Sequence, residues 1–196
     1  MNITVKSSNG ISLVPLNSTL LSDRKIFIEG TIESEMACDV VKQLMHLCMQ
    51  DATKPIDIFI NSTGGEINSG LMIYDAMRSC TAPVRVICMG KAYSMAAVLV
   101  ASAPDGRYIL PHSELMIHEP LLGNRVGGNS SSIKSISESL LDAKRKINEI
   151  LSLHTGKTVE EIDEATSFDH YFSAEESIEF GLCDKIVSLR DFTGGN

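Results

Sequence analysis

At 196 residues, with 43% hydrophobic side chains, the chain has the size and the apolar content for one domain with a substantial core. A net charge of -8 at neutral pH excludes nucleic acid as the main partner, because phosphate binding needs clustered Lys and Arg. Aromatic residues make up only 5% and Trp is absent, which leaves little material for an aromatic-lined carbohydrate or nucleobase site.

No basic stretch followed by an apolar run opens the sequence, and no run reaches ~18 apolar residues, so a soluble, cytoplasmic protein with no membrane partner is expected. Residues 1–22 mix Asn, Ser and Gly with isolated apolar residues and read as an N-terminal arm, with Asn9-Gly10 suited to a hairpin turn; residues 23–196 read as a single domain. Residues 25–29 alternate as a strand, and Met36, Val40, Leu44 and Leu47 recur at helical spacing over residues 33–50. A second strand spans 55–61, and a helix runs from about Ile67 to Ser79 after Gly64-Gly65. Residues 84–89 form an apolar strand, 94–103 have the small, apolar composition of a buried helix, and short strands follow at 107–110 and 114–117. This alternation predicts an α/β fold with right-handed crossovers.

The glycine-rich stretch 122–132 lacks a packing pattern and reads as a mobile loop or an edge ribbon. A helix over residues 132–155 follows, stopped by Gly156. Its apolar residues Ile133, Ile136, Leu140, Ala143, Ile147 and Ile150 form a narrow seam, suited to another helix of this subunit or of a second one. Lys144, Arg145 and Lys146 on that helix read as a solvated basic face. Thr158 with Glu161, and Ser173 with Glu176, form capping boxes for two further helices; Gly181 ends the second and a strand over 185–187 closes the domain. Cys38, Cys48, Cys80, Cys88 and Cys183 show no C-x-x-C pair and no His/Cys cluster, so reduced core thiols and no metal are expected.

Three segments carry chemistry: I-N-S-T-G-G ending at Gly65, A-Y-S-M-A-A around Ser94, and L-M-I-H-E-P around His118. A serine hydroxyl becomes a nucleophile when a neighbouring base takes its proton, and glycine N–H groups near a helix start suit a developing oxyanion. The order predicts a serine hydrolase with Ser94 as nucleophile, His118 as base, and the N–H groups of Gly65 and Met95 as oxyanion hole. Each residue has a plainer alternative: an N-cap serine, a tight-turn Gly pair, a structural histidine. His46, His112, His154 and His170 show no evident role. Asp169, between the last two helices, is the candidate orienting carboxylate, with Asp163, Glu164 and Asp184 as competitors.

Residues 60–187 resemble the proteolytic subunit of the ATP-dependent Clp protease, ClpP. The resemblance rests on S-T-G-G (Ser62 to Gly65), Y-S-M (Tyr93 to Met95), M-I-H-E-P (Met116 to Pro120), H-T-G (His154 to Gly156), S-A-E-E-S (Ser173 to Ser177) and G-L-C-D (Gly181 to Asp184). Asp23-Arg24 before the first strand also fits. It implies a crotonase-like spiral of ββα units with a projecting handle helix over residues 122–155, and a Ser94–His118–Asp169 triad. It further implies peptide and unfolded-protein substrates, and seven-membered rings stacked as a tetradecamer, with a mixed assembly beside a second ClpP paralogue as the alternative. No cofactor is expected, since ATP would be used by a hexameric AAA+ partner. A mainly structural subunit, or a crotonase-like acyl-CoA enzyme, remain the other readings.

Several departures from the family wording set further expectations. Thr63 replaces the usual proline and should loosen the turn before the glycines. Phe168 stands where an arginine commonly helps pair the rings. Asp57 and Ser79 occupy positions where aromatic residues usually meet the unfoldase, with Phe59 retained. Asp57, with no evident cation beside it, implies weak docking.

Overall fold

The computed structural model describes residues 1–7, 10–122 and 128–193. Strands β1 (Asn2–Ser7) and β2 (Gly10–Pro15) pair antiparallel in a ribbon apart from the main sheet. Asn9 of the expected hairpin turn lies outside the described residues. A short helix, α1 (Leu16–Ser22), follows, which the mixed composition of the arm did not announce.

The core is laid down by β3 (Lys25–Ile32), α2 (Ser34–Gln50), β4 (Ile56–Gly65), α3 (Ile67–Ser79) and β5 (Val84–Tyr93). β3, β4 and β5 pair in parallel, as strands joined by helical crossovers must. Ile56, Ile58, Phe59 and Ile60 of β4 are all buried, as in a strand covered on both faces, with Asp57 the one polar residue among them. α2 turns Ala37, Val40, Leu44 and Leu47 into the core. Arg24 ties the end of α2 to the turn that follows it, its guanidinium donating to the backbone oxygens of Leu47, Asp51, Lys54 and Pro55 at 2.9–3.1 Å.

β5 serves two neighbours in succession. Val86, Ile87 and Cys88 pair with β6 (Arg107–Ile109), whereas Lys91, Ala92 and Tyr93 pair with β7 (Glu114–Ile117). α4 (Met95–Ala101) leaves the end of β5 with all its residues buried. β8 (His170–Phe172) runs antiparallel to β7, and β9 (Lys185–Ile186) parallel to β6. The segment holding Asp169 is therefore the lead-in to a strand, where a short loop between helices was expected.

The long helix α5 (Ser130–Thr155) starts two residues earlier than its apolar pattern suggests, because Asn129 Oδ1 accepts the Ser132 N–H at 2.9 Å as an N-cap. Residues 123–127 of the glycine-rich stretch lie outside the described residues. The seam divides along α5: Ile147 and Leu151 enter the core, Ile136, Leu140 and Ala143 are half-buried, and Ile133 is 49% exposed. Helices α6 (Val159–Thr166) and α7 (Ala174–Phe180) both carry complete capping boxes. A 3-10 turn (Leu189–Phe192) puts Phe192 on Phe59 and Tyr108 in a second apolar cluster.

Arg107 draws the ends of three helices together. Its guanidinium donates to the carbonyls of Ala101, His154 and Gly181 and pairs with the Asp184 carboxylate. α2 and α3 lie side by side, so Cys48 and Cys80 meet with Cα atoms 6.4 Å apart and form a disulfide. That corrects the expectation of five reduced core thiols, since a contact across 32 residues leaves no local pattern. Cys38 is exposed, and only Cys88 and Cys183 are buried free thiols. Burial pushes the Cys88 thiol up to about 12, so it is protonated at neutral pH. Among the described residues no helix is long and apolar enough to cross a membrane.

Candidate active site

Ser94 sits where β5 turns sharply into α4. Its φ of 54° and ψ of -122° are rarely adopted by residues with a side chain and cost about 1–3 kcal/mol. The surrounding hydrogen bonds impose that conformation. The Ser94 N–H donates to Met116 O at 2.8 Å, and Ser94 O accepts from the N–H groups of Ala97 and Val98 at 3.0 and 3.2 Å. The Ser94 side chain makes no capping bond to α4, which removes the plain N-cap explanation. Its Oγ instead lies 2.9 Å from His118 Nε2.

His118 leaves the end of β7 with a side chain only 15% exposed. Its Nδ1 is 3.1 Å from Asp169 Oδ1. The β7–β8 pairing makes this contact across 51 residues, because it sets His170 opposite Ile117. Of the competing carboxylates, Asp163 is engaged by Lys144 and Asn148, and Asp184 by Arg107.

The glycine pair arrives beside the serine. A Cβ on Gly64 would sit 2.9 Å from Ser94 Cβ and 3.0 Å from Met95 N, so the two backbones are in direct contact there. Gly65 is equally crowded on its other side, where a Cβ would lie 2.2 Å from Ile32 O. The Thr63 substitution does not leave this turn slack. Buried Ser62 accepts the Gly64 N–H at 3.0 Å and donates to Gly30 O at 2.6 Å, tying β4 to β3. Met95 opens α4, where an N–H has no intrahelical acceptor.

Beyond the glycines a groove opens that the sequence did not reveal. One cleft of about 910 Å³ is lined by Thr31, Gly65, Glu66, Ile67, Leu121 and Ala143, among others. It shares Ile67, Leu121, Ser139 and Ala143 with a second of about 300 Å³ that adds Leu122, Ile136 and Leu140. Within one subunit the middle of the α5 seam therefore faces a groove leading from Gly65. Periodicity shows that a helix face is apolar but not what it looks onto.

The basic run on α5 is also not a uniform solvated face. Lys144 is 26% exposed and pairs with Glu119 at 3.0 Å and Asp163 at 2.8 Å. Asp57 is likewise not unpaired: it is 7% exposed, and Arg85 reaches Oδ1 at 2.6 Å while its guanidinium lies over the Phe192 ring. The expectation of weak docking loses its electrostatic premise, because β4 and β5 place Asp57 opposite Arg85 in the sheet. Ser79 lines an apolar groove with Val41, Leu44, Met45 and Cys48. Phe168 is 85% exposed. His154, set aside in the sequence, meets the Tyr74 hydroxyl at 3.2 Å, and His170 stacks on Phe172. Among the described residues no group of three or more His, Cys, Asp or Glu side chains is arranged to hold a metal ion.

A mixed α/β spiral that lines up serine, histidine and aspartate beside a glycine turn has the form of a serine peptidase. The family model for Clp protease matches residues 8–190, and the chain belongs to that family, whose proteolytic subunits are ClpP-type serine peptidases.

Proposed function

We propose that this protein is the proteolytic subunit of an ATP-dependent Clp protease, a serine endopeptidase acting through Ser94, His118 and Asp169. The observation that carries the reading is the hydrogen-bonded chain from Ser94 Oγ to His118 Nε2 at 2.9 Å and from His118 Nδ1 to Asp169 at 3.1 Å. His118 takes the Ser94 proton as Oγ attacks the scissile carbonyl, and Asp169 accepts the Nδ1–H bond that holds the ring and stabilises the imidazolium. The oxyanion meets the N–H groups of Gly65 and Met95. His118 then protonates the leaving amine, and water releases the acyl group by the reverse sequence. The groove past Gly65, with Ile67, Leu121 and Leu140 among its apolar residues and Glu33, Glu66 and Asn68 among its polar ones, has the size to seat part of an extended peptide.

The family's ring architecture extends the proposal to seven-subunit rings paired into a tetradecamer and fed by an AAA+ Clp ATPase. The exposure of Leu141 (63%) on α5 and of Phe168 (85%) supports it, because both apolar side chains lack cover within one subunit. The test of the catalytic reading is a fluorophosphonate probe. It should add to Ser94, and Ser94→Ala should abolish both labelling and peptide hydrolysis, a loss of several orders of magnitude, with the fold retained. Undiminished hydrolysis by Ser94→Ala refutes the reading.

A further inference from the structure

His118 and Asp169 both lie on irregular backbone. His118 follows the end of β7, and Asp169 stands between the end of α6 and the start of β8. Strand pairing fixes these segments on one side, through Ile117 and His170. On the other side a single backbone bond, from the Glu119 N–H to Thr166 O at 2.8 Å, joins them. The adjoining carboxylates, Glu119 and Asp163, converge on one ammonium group. Lys144 Nζ stands 3.0 Å from Glu119 Oε2 and 2.8 Å from Asp163 Oδ1, and Asn148, one turn further along α5, donates to the same Asp163 oxygen at 3.0 Å.

We propose that Lys144 is a positioning residue for the His118–Asp169 pair, its ammonium tying the segment that carries the base to the segment that carries the base's carboxylate partner. The inference rests on the serine-peptidase reading of Ser94, His118 and Asp169. Lys144 differs from its neighbours in the way this role requires. Its side chain is 26% exposed and links α5 to α6 and to the segment after β7, whereas Arg145 is 69% exposed and, among the described residues, pairs only with Asp142 on its own helix. Removing the ammonium leaves the Glu119 and Asp163 carboxylates facing each other, and their repulsion drives the two segments apart. The His118–Asp169 contact lies between those segments, so it lengthens first. A displacement of about 1 Å at a reacting group is worth on the order of 100-fold in rate. Because Lys144 projects from α5, any movement of that helix is passed to the His118 segment.

The test is the rate of fluorophosphonate labelling at Ser94, with kcat and KM for a short peptide, in Lys144→Met, Lys144→Arg and Glu119→Leu. Lys134→Met serves as control, since Lys134 on the same helix is 78% exposed and, among the described residues, pairs only with Glu138. The expectation is a ~10- to 100-fold fall in labelling and kcat with KM little changed in Lys144→Met and Glu119→Leu. Lys144→Arg should recover most of the rate, because a guanidinium fork also bridges two carboxylates. If Lys144→Met fails to fold or assemble, Glu119→Leu decides, being off the helix. Wild-type labelling in a folded Lys144→Met or Glu119→Leu protein overturns the proposal, as does an equal loss in Lys134→Met. Hydrolysis that survives Ser94→Ala would instead refute the underlying triad.

Discussion

Gly64→Ala probes the contact on which the site's geometry depends. Gly64 has φ 82°, and a Cβ there would meet Tyr93 O at 2.5 Å, Ser94 Cβ at 2.9 Å and Met95 N at 3.0 Å. Two of these atoms are backbone and the third is the Cβ that carries the Ser94 hydroxyl, so no flexible side chain can move aside. Ordinary contact begins at 3.4 Å, and either the glycine turn or Ser94 must therefore yield by roughly 0.9 Å, enough to cost on the order of 100-fold in turnover. The left-handed backbone adds roughly 1–2 kcal/mol of destabilisation. Gly156→Ala separates the two effects: φ is 76°, but nothing lies within 4 Å of the added methyl. That variant should lose about 1 kcal/mol, or ~2–4 °C in Tm, and keep full kcat. Peptide hydrolysis and thermal melts on both proteins are the assay. A Gly64→Ala enzyme within about threefold of wild-type kcat, a difference under ~1 kcal/mol, would refute the reasoning.

Asp57→Ala should cost about 3 kcal/mol in urea unfolding by stranding Arg85 over Phe192, and adding Arg85→Met should restore much of it; equal losses in single and double variants would argue against the pair. Burial, then Arg78 and Arg107, hold the His154 pKa below its ordinary value. A depressed histidine contributes stability that is complete above about pH 6.5 and is lost as pH falls through the folded-state value. His154→Gln should therefore flatten the decline in stability between about pH 6.5 and 5, and an unchanged slope would exclude His154 as its source. Leu141→Asp places a charge on an apolar side chain that is 63% exposed in the single subunit. It should leave the subunit folded while shifting sedimentation to smaller species, whereas a monomeric wild type would contradict the ring proposal.

The parts of the fold written in neighbouring residues were legible. Thr158 with Glu161 and Ser173 with Glu176 announce two helix starts, and both boxes are closed by hydrogen bonds. The apolar strands and their helical crossovers show in the same way, through a period of two or of 3.6 residues. Ser94 and His118 stood out by order, and the structure brings them and Asp169 into one chain of contacts. Contacts between distant segments stayed hidden. Cys48 and Cys80, Asp57 and Arg85, and Lys144 with Glu119 and Asp163 each join residues whose local patterns say nothing of one another. β8 was missed because three residues are too few for a period, and α1 because its polar residues mask a helix of two turns. The seam on α5 was visible, but the groove it faces needed Ile67 and Leu121 from elsewhere in the chain.

Arg107 also sets an order in time. The carbonyls it gathers belong to Ala101, His154 and Gly181, and its carboxylate partner is Asp184. Synthesis supplies these groups in that order, Asp184 last. β6, which carries Arg107, gains its outer neighbour β9 only then. A nascent chain that has already exposed Ser94 and His118 still lacks the contacts that seat α5 and α7 against the sheet. Because long-range contacts form only after the intervening chain can close, Arg107 completes its set of bonds only once Asp184 has been made. A fragment that ends before residue 181 therefore leaves the Arg107 guanidinium without two of its four partners, Gly181 and Asp184.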